Sequence, residues 1–267
     1  MPLVTNVSFS KAKAHQFLSD LEAQKKALDA LLNLLDQYHF IGAQFDFEMI
    51  ALDDRDKLSQ FYKLAADTLH QKKYLVSFAV SPTVTDDVTL SSFTKKVYEN
   101  WEGAYDFKAI GAAGDFISIM AYNQHGVATT PGPTASYTWT EAAVKYALKF
   151  VPAKKISLGL PDYSTHWYTG ANKETGKITV MSSAMSYSDA ERLLKSFHAH
   201  TLWDKQEKIN YAMFERFWLN EYMFFEDAKS FAAKYSLVKK YHLRGVSVFD
   251  LGTEDERVWS TLPLLIK

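Results

Sequence analysis

Short apolar, β-branched runs recur along the chain at residues 3–9, 41–47, 74–80, 115–121, 156–160 and 246–251, each with the length and composition of a buried strand. Between them, FLSDLEAQKKALDALLNLLDQY at 17–38, DKLSQFYKLAADTLHQ at 56–71 and WTEAAVKYALKFV at 139–151 repeat apolar residues at i, i+3, i+4 and i+7, the spacing of helices packed by one face. FFEDAKSFAAKYSLVKKYHL at 224–243 resumes that period before the last strand. Strand and helix in alternation predict an α/β fold with a parallel sheet. The regularity breaks at 162–222, a stretch rich in Tyr, Trp, Ser and charged residues and too long for a plain connection, which reads as an inserted α+β subdomain.

This gives six strand and helix units, where a TIM-type (β/α)8 barrel has eight. The expectation is therefore a barrel lacking its first two strands in this chain, with strands three to seven and their helices at 1–161, the α+β insertion after the seventh strand at 162–222, and the last helix and strand at 223–267. We find no internal repeat, low-complexity segment or interdomain linker.

Composition narrows the function classes. The 267 residues are 47% hydrophobic, enough for a large core, and a net charge of -1 gives no general attraction to nucleic acid. The absence of Cys removes disulfides, thiolate metal sites and a Cys nucleophile. No apolar run approaches the roughly 18 residues of a membrane span, and the opening MPLVTNVSFSKAKAHQF is not an export signal. His198 and His200 are not part of an HExxH motif, and Gly111 and Gly114 precede a strand rather than opening a helix, so metal and phosphate sites are not expected.

The run GAQFDFE at 42–48 is the exception in an otherwise apolar set of strands. Side chains on a strand alternate, so Ala43, Phe45 and Phe47 share one face and Gln44, Asp46 and Glu48 the other. In a barrel the polar set points inward, with Glu48 nearest the C-terminal end of the strands, where barrel active sites lie. Neighbours at i and i+2 are about 6.6–7 Å apart at Cα, so burial and mutual repulsion raise at least one carboxyl pKa and keep an acid protonated for catalysis. The competing explanation is a solvated strand end. Three successive polar inward positions are costly without a use, which favours the functional one.

GAQFDFE resembles the catalytic strand of glycoside hydrolase family 18, the chitinase-like barrels, and most closely the branch of spore-cortex and peptidoglycan-lytic enzymes. The likeness extends to MAYNQHG at 120–126 with PGP at 131–133, KISLGLPDY at 155–163, FFEDAKS at 224–230 and RGVSVFDLGTEDERVW at 244–259, in the family's order. The resemblance implies that Glu48 is the general acid/base, that Asp46 holds its proton and then orients a substrate acetamido group, and that Tyr122 donates a hydroxyl to the same group. Gln44, Met120, Asn123, His125 and Phe249 are the expected sugar-binding residues, and Trp167, an aromatic following a predicted strand, joins them as a stacking face, with core of the inserted subdomain as the alternative for it. It implies a cofactor- and metal-free retaining hydrolysis of β-1,4 bonds in N-acetylglucosamine polymers, peptidoglycan or chitin, by a protein secreted or held at the cell wall. The chain is expected to be a monomer unless a partner supplies strands. Ile41, Gln44, Asn123 and Phe249 depart from the family pattern, the first two at acidic positions, Asn123 at an Asp and Phe249 at a Trp. The alternative is a non-catalytic, lectin-like protein on the same fold.

Overall fold

The computed structural model describes residues 1–127, 129–171 and 174–266. In chain order its elements are β1 (Leu3–Thr5), α1 (Lys11–Leu18), α2 (Leu21–Gln37), β2 (Gly42–Asp46), α3 (Arg55–His70), β3 (Leu75–Val80), α4 (Ser92–Val97), α5 (Phe107–Ala113), β4 (Phe116–Ile119), α6 (Tyr137–Ala147) and β5 (Ile156–Pro161). They continue with β6 (Ser164–Ala171), β7 (Ile178–Met185), α7 (Tyr187–Ser196), β8 (Leu202–Asp204), β9 (Ile209–Arg216), β10 (Leu219–Phe225), α8 (Ala228–Lys240), β11 (Gly245–Phe249) and α9 (Arg257–Ile266). The fold is α/β, with one parallel and one antiparallel sheet, and two compact units divide it: Met1–Met120 with Ala143–Ser157, and Ala121–Ala142 with Leu158–Lys267.

In the first unit the parallel order is β1-β2-β3-β4, with Thr5 opposite Asp46, Gln44 opposite Ser77, Phe45 opposite Phe78 and Ala79 opposite Ser118. Alternation puts small and polar side chains, Gln44, Asp46, Ser77, Ala79 and Ser118, on one face. The other face carries Ala43, Phe45, Val76, Phe78, Val80, Ile117 and Ile119, all buried. There Phe45 meets Phe61 and Tyr62 of α3 edge-on at 5.8 and 5.9 Å, and Phe17 of α1 meets Phe61 at 5.0 Å. Offset and edge-on rings of this kind add about 0.5–1.5 kcal/mol per pair beyond the area they bury.

Three sequence expectations differ from the structure here. The single helix expected over 17–38 is α1 and α2, because Asp20 adopts an extended conformation and its side chain accepts from the Ala23 N–H at 3.0 Å, capping a new helix. The first strand stops at Thr5: Val7, Ser8 and Phe9 form a 3-10 turn with Ser8 and Phe9 in the left-handed region. A closed ring of strands is not found either. Among the described residues β1 pairs only with β2, and β11 only with β5.

The second unit contains β5 from Leu158 onward, its neighbour β11, and an antiparallel sheet ordered β7-β6-β10-β9-β8. Ala190 of α7 packs on Met223 and Phe225 of this sheet, with Leu193, Leu194 and Phe214 around them. Phe224 and Phe225, expected at the head of the last long helix, belong to β10. Helix α8 starts after Asp227, which forms a reciprocal capping box with Ser230. Beneath it, Lys234 Nζ lies 2.6 Å from both oxygens of Glu226, and Ser230 Oγ donates to the same carboxylate at 2.6 Å. Both charged residues are buried. No helix among the described residues is long and apolar enough to cross a membrane.

Gly42 begins β2 where a Cβ would stand 1.9 Å from the Leu75 carbonyl oxygen, so only glycine allows this approach of β2 and β3. Gly42→Ala is expected to destabilise the chain by about 3 kcal/mol, the upper part of the usual cost of overpacking, measured by urea denaturation.

Candidate active site

Strand β2 places Asp46 at its end and Glu48 two residues beyond. Asp46 is 8% exposed and Glu48 half-buried. The Oδ1 of Asp46 is buried without a hydrogen-bond partner, and among the described residues no Lys, Arg or His forms an ion pair with either carboxylate. Burial raises the pKa of Asp46. Burial, and after it the neighbouring Asp46 charge, raises that of Glu48. Gln44, half-buried, lies two residues back on the same face and opposite Ser77.

Two residues that sequence reasoning did not single out hold this segment. The Asn6 carboxamide donates from Nδ2 to the Glu48 carbonyl at 2.9 Å and accepts the Glu48 N–H on Oδ1 at 2.9 Å. The buried Tyr105 hydroxyl donates to the Phe47 carbonyl at 2.9 Å. Burial raises the pKa of that phenol, with the charges of Glu48 and Asp46 adding to the shift, so it remains a donor. Neither contact had a local signal: Asn6 is 42 residues from Glu48 and Tyr105 is 58 from Phe47.

In the second unit, Tyr122 stacks on Phe249 with ring centres 5.2 Å apart and an interplanar angle of 23°, and Tyr163 meets Phe249 edge-on at 6.1 Å. Tyr163 donates its hydroxyl to Asn123 Oδ1. Phe249 is 47% exposed, which leaves ring surface for a ligand. His125 faces the Thr130 carbonyl through Nδ1 at 3.1 Å and lies against Gly132, where a Cβ would be 2.5 Å from its ring. Asp162, also missed, is buried beside this group. Its pKa is pushed up to about 6, chiefly by burial, while the Thr253 hydroxyl donating at 3.1 Å opposes the rise. Met120 is half-buried and ends the main segment of the first unit.

Trp167 is a correction. Expected to stack on a sugar, it is 0% exposed, sits between Tyr222 and Ser182 in the antiparallel sheet, and meets Phe224 edge-on at 6.0 Å. It is core of the second unit and has no free face. Among the described residues no group of three or more His, Asp or Glu is placed to hold a metal ion.

The family model described as Glycosyl hydrolases family 18 matches residues 7–254. The chain is 26% identical over 250 residues to an uncharacterized glycosylase, YvbX, of Bacillus subtilis, covering 93% of this chain and 68% of that protein. It is 26% identical over 269 residues to the cortical fragment-lytic enzyme of B. subtilis, covering 98% of this chain and 59% of the other, so it spans less than two thirds of that relative's length. A chitinase structure from Chromobacterium violaceum superposes with a TM-score of 0.86 at 28% identity, over 99% of this chain and 78% of that one.

With both carboxyls raised above their ordinary values of 3.8 and 4.5, the folded chain holds more protons than the unfolded chain above those values, so the pair's contribution to stability falls as pH rises. Asp46→Asn and Glu48→Gln are each expected to melt higher than the parent near neutral pH. The gain should shrink as pH is lowered and vanish below 3.8, as read by thermal melts across a pH series.

Proposed function

The chain belongs to glycosyl hydrolases family 18, and on that premise we propose that it is a glycosidase that cleaves β-1,4 bonds in an N-acetylglucosamine-containing polymer by a substrate-assisted, retaining mechanism. The observation that carries this reading is the pair Asp46 and Glu48: two carboxyls two residues apart at the end of β2, one buried and one half-buried, with raised pKa values and, among the described residues, no ion-paired cation. A carboxyl with a raised pKa holds its proton to higher pH than a free one does and can deliver it to a leaving group.

Glu48 is assigned the acid/base role. It protonates the glycosidic oxygen and then, as carboxylate, takes a proton from the incoming water. Asp46, through its unpartnered Oδ1, holds the Glu48 proton before transfer and accepts from the acetamido N–H afterwards. Tyr122 donates its hydroxyl to the acetamido carbonyl, whose oxygen attacks the anomeric carbon and forms the intermediate that water opens. Two carboxyls two residues apart on one strand cannot lie on opposite sides of a sugar ring, as both ordinary two-carboxylate mechanisms require, which is why the nucleophile is assigned to the substrate.

The remaining sugar contacts are assigned to Gln44 and Met120 in the first unit and to Asn123, His125 and Phe249 in the second, with the Phe249 ring as a stacking surface. We read β1 to β5 and β11 as strands three to eight of a (β/α)8 barrel, with β2 the fourth. Peptidoglycan is preferred to chitin because a relative matched over nearly the whole chain is named as cortical fragment-lytic, and such a substrate places the protein outside the cell or at its wall.

Glu48→Gln is expected to lower turnover of chitooligosaccharides or peptidoglycan fragments by roughly 10²–10⁴-fold, the usual contribution of a general acid, while sugar affinity by calorimetry stays within a few-fold. Equal turnover by parent and variant removes Glu48 from the mechanism, and binding without turnover by the parent makes the protein lectin-like. Mass spectrometry of products from peptidoglycan and chitin digested side by side decides the substrate.

A further inference from the structure

We infer that Asn6 is a positioning residue that fixes the main chain of Glu48; for its effect on turnover this rests on the acid/base assignment above. The parallel pairing of β1 with β2 ends at Thr5 opposite Asp46. One residue further, β1 leaves the sheet into the 3-10 turn at 7–9, so no strand backbone is left to pair with Glu48. The Asn6 side chain takes that place. A carboxamide carries a donor and an acceptor in one plane, and Asn6 spends both on a single residue, Nδ2 on the Glu48 carbonyl and Oδ1 on the Glu48 N–H, each at 2.9 Å.

These contacts hold both peptide planes that flank the Glu48 Cα, and therefore its φ and ψ together. The plane on the N-terminal side is held twice, because Tyr105 donates to the carbonyl of the same 47–48 peptide. On the other side, Met49 turns into the left-handed region at φ 53°, an unfavourable conformation for a non-glycine residue that would relax if its neighbour were free. Asn6 is 8% exposed, so water competes weakly for these hydrogen bonds. With the backbone held, only side-chain torsions remain to bring the Glu48 carboxyl to the glycosidic oxygen, and proton transfer is sensitive to displacements of that order.

The test compares Asn6→Ala with Leu69→Ala, a cavity variant at a residue that is 0% exposed and remote from Glu48 in the sequence, and with Glu48→Gln. Asn6→Ala is expected to raise amide hydrogen exchange at Glu48 by about tenfold or more. It should also lower kcat by about 10–100-fold with KM within about twofold. Leu69→Ala, although destabilised, should leave both readouts at parent levels. If Asn6→Ala does not fold, Asn6→Asp serves. It keeps the acceptor for the Glu48 N–H but loses the donor, so protection of that amide persists while kcat still falls. Parental exchange and kcat in Asn6→Ala, or parental kcat in Asn6→Asp, overturns the inference. Should Glu48→Gln keep full activity, the acid assignment fails, and the exchange measurement still decides the contact by itself.

Discussion

Removing a carboxylate from water costs free energy unless a cation or a set of donors replaces the lost hydration; Asp46 Oδ1 is buried with no hydrogen-bond partner, and among the described residues neither Asp46 nor the half-buried Glu48 has an ion-paired cation. The rest of the site follows from that cost. The aromatic residues alternating with them, Phe45 and Phe47, are packed against Phe61 and leave the strand no freedom to rotate its polar face outward. A one-residue slip of β2 would put Phe45 among the polar side chains and the carboxyls among the rings. The desolvation that raises both pKa values is thus supported by packing on the far side of the sheet.

The second unit contributes a different kind of order. Tyr122, Phe249 and Tyr163 form a small stack in which each ring is placed by another, and the Tyr163 hydroxyl is committed to Asn123. Phe249 offers less area than an indole and no N–H, so its exposed ring can make contact only through its face and edge. The buried Asp162 lies close by with its proton-binding strength raised, and two further acids, Glu254 and Asp250, add to that rise.

Strand order and the polar face of β2 were legible in the chain because both are periodic: a two-residue alternation interrupted by acids at 46 and 48 needs no tertiary information. Family motifs extended that reading across the length, and the match over residues 7–254 agrees with it. What escaped was whatever depends on contacts distant in sequence. Asn6 and Tyr105 act on backbone atoms 42 and 58 residues away, and an isolated Asn or Tyr carries no pattern that reveals its partner. Trp167 was misjudged for a related reason: an aromatic in a stretch rich in Tyr and Ser looks like a ligand contact until the sheet around it is known. The break between α1 and α2 was visible in principle as an Asp preceding a helical run, but the continuous apolar period masked it.

Helix α8 carries its own constraint on how such a chain can change over time. Lys234 and Glu226 neutralise each other out of reach of solvent, with Ser230 as a third member. Losing either alone strands an uncompensated charge and costs about 3–5 kcal/mol, whereas exchanging both for apolar residues can be neutral. Drift at these two positions therefore has to be concerted, and descendants of this sequence should carry both residues or neither.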